Sequence, residues 1–193
     1  MKKIIYFTVP ILIVAGLFSC GDDDKTTPRE VNIGNLEINL GILSVEDYPY
    51  YYIESIPVSL AGITELEDYI DWIKSVSFSG VKLKGFADGV TIEELSLVAL
   101  GSEPNSNLLQ GVEPIRDFPF NPPWTPSAQI PEQLQNKLAS FCNALLEKLI
   151  QDSATSYIQA SVKIVGNMPM SGNPPQVTSS FILELQNVTV KGE

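Results

Sequence analysis

Histidine does not occur in this chain of 193 residues, and with it go the commonest general base and the commonest zinc ligand. Ser-His-Asp triads and His-bound metal sites are thereby excluded. Cysteine is almost as scarce, with Cys20 and Cys142 alone. Positive charge is short as well: Lys and Arg total 12 against 23 Asp and Glu, a formal net charge of −11. Phosphate recognition needs clustered Lys and Arg, so nucleic acid is excluded as a partner and an anionic lipid surface is a poor one. An acidic surface instead serves solubility and repulsion from neighbours.

Long apolar runs are confined to one place. Lys2 and Lys3 precede an almost unbroken apolar stretch, Ile4 to Phe18, which is shorter than the ~20 residues of a membrane span and has the layout of a secretory signal peptide. That assigns residues 1–19 to a signal peptide. The run closes on Leu17-Phe18-Ser19-Cys20 and gives way at once to Gly21-Asp22-Asp23-Asp24. Leu17 to Cys20 resembles the lipobox of bacterial lipoproteins. The resemblance implies that Cys20 is acylated, that the bond before it is cut, and that the new N-terminus is acylated too. Each buried acyl CH₂ contributes about 0.8 kcal/mol, so several chains anchor a protein stably where one does not. The alternative is a plain cleaved signal peptide or an N-terminal anchor, with Cys20 incidental. Asp22-Asp23-Asp24 resembles the export signal that carries Bacteroidota lipoproteins to the outer face of the outer membrane, which implies the cell surface rather than the periplasmic face.

Residues 20–30 then read as an acidic flexible tether and 31–193 as a single domain, with no internal repeat and no dividing linker. If Cys20 is lipidated, Cys142 is the one thiol left, and no intramolecular disulfide forms. Its place on an apolar helical stripe reads as a small buried hydrophobe rather than a nucleophile.

Strict alternation in Leu36-Glu37-Ile38-Asn39-Leu40, with Val31 and Ile33 before it, predicts a half-buried strand. Ser55 to Leu60 predicts a second, limited to an edge by Pro57. Thr64 with Glu67 has the form of a capping box, and Leu66, Tyr69, Ile70 and Ile73 recur at helical spacing, so a short helix is expected over 65–74. Ser75 to Phe86 and Val90 to Leu100 are β-rich runs, and Asp88-Gly89 between them predicts a hairpin. The apolar phase slips within both, placing bulges near Gly80 and Glu93-Glu94.

From Ser102 to Pro126 the Pro, Gly and Asn content predicts a long connection. Pro131 opens the best helix, in which Leu134, Leu138, Phe141, Leu145 and Leu149 form a stripe that ends near Asp152-Ser153. A strand with Ile158, Ala160, Val162 and Ile164 on one face follows. The last strand carries Phe181, Leu183 and Leu185, changes phase at Gln186-Asn187, and resumes with Val188 and Val190. Together these elements predict a mainly β fold, an antiparallel β-sandwich with one long amphipathic helix packed on it and a short second helix. The run Tyr69 to Ser75 and the C-terminal helix, strand, Val165-Gly166 and final strand resemble uncharacterised Bacteroidota envelope lipoproteins with sandwich domains. The likeness implies a fold and a location and carries over no catalytic residue.

Acid clusters at Glu93-Glu94, Glu65-Glu67-Asp68 and Asp71 are where a two-carboxylate glycosidase would be sought. They also lie where acids cap or solvate helix starts and strand breaks. Asp152-Ser153-Ala154 resembles the Asp-Ser/Thr-aliphatic acceptor for O-glycans in Bacteroidota envelope proteins, which makes Ser153 a candidate for modification, with a plain turn as the alternative. Tyr50, Tyr51, Tyr52 and Trp124 are the candidate ligand-binding residues, because sugar faces stack on such rings; packing on a sheet edge is the competing role. No cofactor or metal site is read. The expectation is a non-enzymatic interaction or structural module held to the membrane by its N-terminal lipid, with glycan binding as the second reading and glycosidase activity as the third.

Overall fold

The computed structural model describes residues 29–42, 50–86, 90–126, 128–152, 155–165, 170–171, 176–177 and 180–193. In chain order the strands are β1 (Arg29–Ile42), β2 (Tyr50–Val58), β3 (Ile73–Ser77), β4 (Gly80–Lys84), β5 (Thr91–Leu100) and β6 (Ile115–Trp124). After helix α1 (Glu132–Asp152) come β7 (Ser156–Val165), β8 (Met170–Ser171), β9 (Gln176–Val177) and β10 (Ser180–Gly192). Two short 3-10 helices, Leu60–Gly62 and Thr64–Tyr69, join β2 to β3.

The strands form two four-stranded antiparallel sheets packed as a sandwich. In the first, β10 is central: β1 pairs along one side of it, and β3 and β4 pair end to end along the other. The second has the order β2-β7-β5-β6. β8 and β9 form a separate two-residue ladder. The inner faces carry the alternating residues that the sequence predicts, including Leu36, Ile38 and Leu40 on β1, Ile158 to Ile164 on β7, and Phe181 to Leu185 on β10, all buried in one continuous core. Each such side chain contributes about 1.5–3 kcal/mol on burial.

Phase changes are built into the backbone. Asn187, at φ 50°, resets β10 so that Val188 and Val190 point inward again, and a register shift between Ile92 and Glu94 does the same for β5. Asn tolerates this left-handed conformation better than most residues. At the far end of β10, a Cβ on Gly192 would strike the Trp72 carbonyl, so only glycine fits there.

Helix α1 follows its predicted stripe, with Leu134, Leu138, Phe141, Cys142, Leu145, Leu146 and Leu149 buried. It packs beside β3 and β4 of one sheet and β6 of the other, closing the side of the sandwich opposite to that where β1 meets β2.

Four expectations are corrected. Ser75–Phe86 and Val90–Leu100 do not form a hairpin: β4 pairs with β10 in the first sheet, while β5 pairs with β6 and β7 in the second. The chain passes between sheets there, and Asp88-Gly89 lies outside the described residues. Near Gly80 the chain breaks into two strands rather than bulging. The helix expected over 65–74 is instead the 3-10 helix Thr64–Tyr69, entered from Ile63 without a side-chain cap. It stops early because Ile73 must enter the sheet opposite Gly192. Finally, Ser102–Pro126 is not wholly a connection: Ile115–Trp124 is strand β6, and its Pro119, Pro122 and Pro123 are accommodated because β6 is an edge.

One buried charge holds the first sheet. The Glu184 side chain is 5% exposed and pairs with Lys84, whose Nζ also lies 3.3 Å from Glu37. Lys84→Ala is expected to cost about 1–3 kcal/mol in urea unfolding at neutral pH, since the Glu184 carboxylate then loses its cation in a place water barely reaches. Adding Glu184→Gln should recover most of that loss. A double variant as unstable as the single one would refute the pairing argument.

Candidate functional site

Beside β4 the sandwich opens into a cleft of about 430 Å³. Its walls come from Val81, Lys82 and Leu83 on β4 and from the segment that leads from Trp124 to Ile130; Gln186 of β10 and Gln135 from the first turns of α1 complete it. Gln135 and Gln186 bring their amides close enough to Gly80 that an added Cβ would lie 3.3 and 3.4 Å from them, so the two amides meet at the end of the cleft where β4 begins. Gln129 adds a third amide. Lys82 is the one charged residue among the described residues of the lining. Among the described residues no carboxylate lines the cleft, and the side chains they bring to it offer hydrogen bonding and attraction of negative charge.

An aromatic seam runs inward from Trp124, the ring that lines the cleft. Trp124 stacks on Phe120 with centroids 5.5 Å apart and 19° between planes, and meets the edge of Phe86 at 6.4 Å. Phe86 in turn packs on Phe181 at 5.2 Å. The seam therefore ties β6 of one sheet to β10 of the other. The Trp124 indole N–H donates to the Ala128 carbonyl at 3.2 Å, which pins the segment after β6.

The candidates read from sequence are not brought together here. Trp124 is 5% exposed, a packed ring with only its margin on the cleft rather than a free platform. Tyr50, Tyr51 and Tyr52 pair through their backbones with Lys163, Val162 and Ser161 at the start of β2. β2 and β6 are opposite edges of one sheet, about 14 Å apart at the ordinary strand spacing. Cys20 and Ser153 lie outside the described residues, Ser153 directly after the end of α1.

Of the acid clusters, Glu93 pairs with Lys163 at 3.0 Å, and Glu67, Asp68 and Asp71 are exposed on and after the second 3-10 helix. Among the described residues, no group of three His, Cys, Asp or Glu is placed to hold a metal ion, and no helix is long and apolar enough to cross a membrane.

Cys142 lies buried on α1, and desolvation pushes its thiol up to about 12 from an ordinary 9. The neutral thiol is inert as a nucleophile.

Sequence reasoning missed Lys82, Gln129, Gln135 and Gln186. Gln135 falls outside the apolar stripe of the predicted helix, and Gln186 reads as part of the phase change in the last strand. The usable signal was Gly80, the break in an otherwise continuous strand. Compared with known proteins, the chain matches no family model, no curated protein and no solved structure.

Proposed function

We propose that this chain is a bacterial cell-envelope lipoprotein, anchored through Cys20 and exposed at the cell surface, whose sandwich domain is a non-enzymatic interaction module. The observation that carries the reading is the run from Lys2 to Cys20 followed at once by Gly21-Asp22-Asp23-Asp24. The first described residue, Arg29 on β1, pairs through its backbone with Gly192 of β10. A tether from Cys20 to Arg29 reaches at most about 30 Å when fully extended, so the anchor and both ends of the folded domain lie on the side toward the membrane. A second reading, glycan binding, draws on the three glutamine amides and the indole margin of the cleft.

Metabolic acyl labelling with Cys20→Ser tests the anchor. The variant is expected to lose label and leave the membrane fraction, and unchanged labelling and retention would overturn the reading. Thiol counting gives an independent check on the purified wild type. Acylation converts the Cys20 thiol to a thioether and Cys142 is buried, so the native protein should give no reaction with a maleimide, and the unfolded protein should give one equivalent. Two equivalents on unfolding would mean that Cys20 is unmodified.

The Cys142 thiol also makes stability fall with pH in the alkaline range. The unfolded chain releases its proton near 9 and the folded chain only near 12, so the stabilisation is complete below about 9 and is lost as pH rises toward 12.

A further inference from the structure

We propose that the cleft beside β4 takes an extended peptide segment carrying an acidic residue, laid along β4 as an added strand of the first sheet. The inference deepens the interaction-module reading by naming the partner's chemistry, and it rests on that reading for its biological sense.

The first observation is the edge. β4 pairs with β10 on one side only. In an antiparallel ladder every second residue turns its N–H and C=O away from the partner strand. Among the described residues, no other backbone or side chain bonds to that outer row on Val81 to Lys84. Native proteins cover such edges because a free one templates pairing. Here α1 packs beside β3 and β4, and the cleft lies against Val81, Lys82 and Leu83 with Gln135 of α1 at its Gly80 end.

The second observation is charge. In a chain with 23 acidic residues, the charged residue on this lining is Lys82, which is exposed and makes no ion pair among the described residues. Of the other exposed lysines of this sheet, Lys84 is committed to Glu184 and Glu37 and Lys191 lies 3.2 Å from Glu30, while Lys74 on β3 is without an ion pair too but does not line the cleft. Lys82 stands opposite Glu184 in the ladder and makes no ion pair with it. Lys82 is left to meet a carboxylate from outside.

The third observation weighs against a sugar ring. One face of Trp124 is taken by Phe120 and the residue is nearly buried, so it offers too little flat area for stacking. Gln129, Gln135 and Gln186 can donate to and accept from the backbone of a strand, and Leu83 and Ile130 give a small apolar seat for alternate side chains. Main-chain pairing supplies affinity in this mode, and the flanking residues supply specificity.

The full chain, held in detergent micelles, is titrated with a synthetic peptide of alternating valine and threonine around a central glutamate. The comparison peptides have lysine at the centre, or carry N-methyl groups on alternate amides. The glutamate peptide is expected to bind and to slow hydrogen exchange at alternate amides between Val81 and Lys84. The N-methylated peptide should not bind. Lys82→Gln, which puts no second carboxylate opposite Glu184 in the ladder, should keep the melting temperature and reduce the preference for the glutamate peptide over the lysine peptide by about threefold, as the attraction is lost. Equal binding of the N-methylated peptide, protection away from β4, or indifference to Lys82→Gln would overturn the proposal. So would failure of the glutamate peptide to bind, and a neutral oligosaccharide that instead shifted the side-chain amides of Gln129, Gln135 and Gln186 would give the cleft to glycans. Crosslinking on intact membranes separates the two levels: a protein partner crosslinked while the peptide fails would leave the module reading standing and remove only the β4 site.

Discussion

Phe141→Ala is expected to cost about 3–5 kcal/mol, and Leu138→Ala or Leu145→Ala about 2–5 kcal/mol, whereas Lys137→Ala should be nearly silent. Phe141 is 1% exposed and ranks among the largest fully buried side chains. It lies on the face of α1 that closes the open side of the sandwich between β3, β4 and β6. Truncating it removes apolar contacts from both sheets at once, and strands held in ladders cannot collapse into the space. Domains of this size are stable by roughly 5–15 kcal/mol, so this single change removes a large share of the margin. Urea unfolding of the four variants decides the matter. Equal losses at Lys137 and Phe141 would mean that α1 is not packed as a structural wall.

The helix was the most legible element, and the reason is physical. A stripe that recurs every three to four residues over five turns cannot be read as a strand, and Pro131 and Asp152 mark its limits. β1, β7 and β10 were legible for the same kind of reason, since one buried face imposes alternation on each. The phase change at Asn187 was visible too, because a slip of one residue moves every later side chain to the other face. Pairing was harder. Asp88-Gly89 has turn chemistry suited to a hairpin, yet β4 and β5 enter different sheets. Local turn preference does not record which edge a strand will meet, and both Val81/Leu83 and Ile92/Leu95 satisfy the core from either sheet. β6 was hidden by its prolines, which the edge position tolerates but which speak against a strand when only the sequence is read.

The site was less legible than the fold. Aromatic residues drew attention to Tyr50, Tyr51, Tyr52 and Trp124, but sequence cannot show that β2 and β6 fall on opposite edges of one sheet. The cleft lies where β4, the segment after β6 and the first turns of α1 come together around Val81, Lys82 and Leu83. Such a gap belongs to the packing of three elements distant in sequence. Lys82 became distinctive only when the fold placed it, unpaired, on the lining of the cleft.

Trp124→Ala should cost about 3–5 kcal/mol, a loss set by packing, and it separates the fold from ligand binding more sharply than any other single change. The ring stacks on Phe120, meets Phe86 edge-on, and through Phe86 reaches Phe181 on the opposite sheet. Its removal leaves a hole at the seam between the sheets. The indole N–H also anchors the Ala128 carbonyl at 3.2 Å, so the wall of the cleft after β6 loosens with it. Trp124→Phe keeps most of the seam and loses that hydrogen bond, a change of about 1 kcal/mol beyond the difference in ring size. Binding to the β4 edge should weaken in Trp124→Ala together with the melting temperature, whereas Lys82→Gln should change binding with stability intact. Thermal unfolding and peptide titration on the same three variants distinguish the roles. If Trp124→Ala melted like the wild type while losing retention on a polysaccharide, the ring would be a ligand surface, and the packing described for the seam would be wrong.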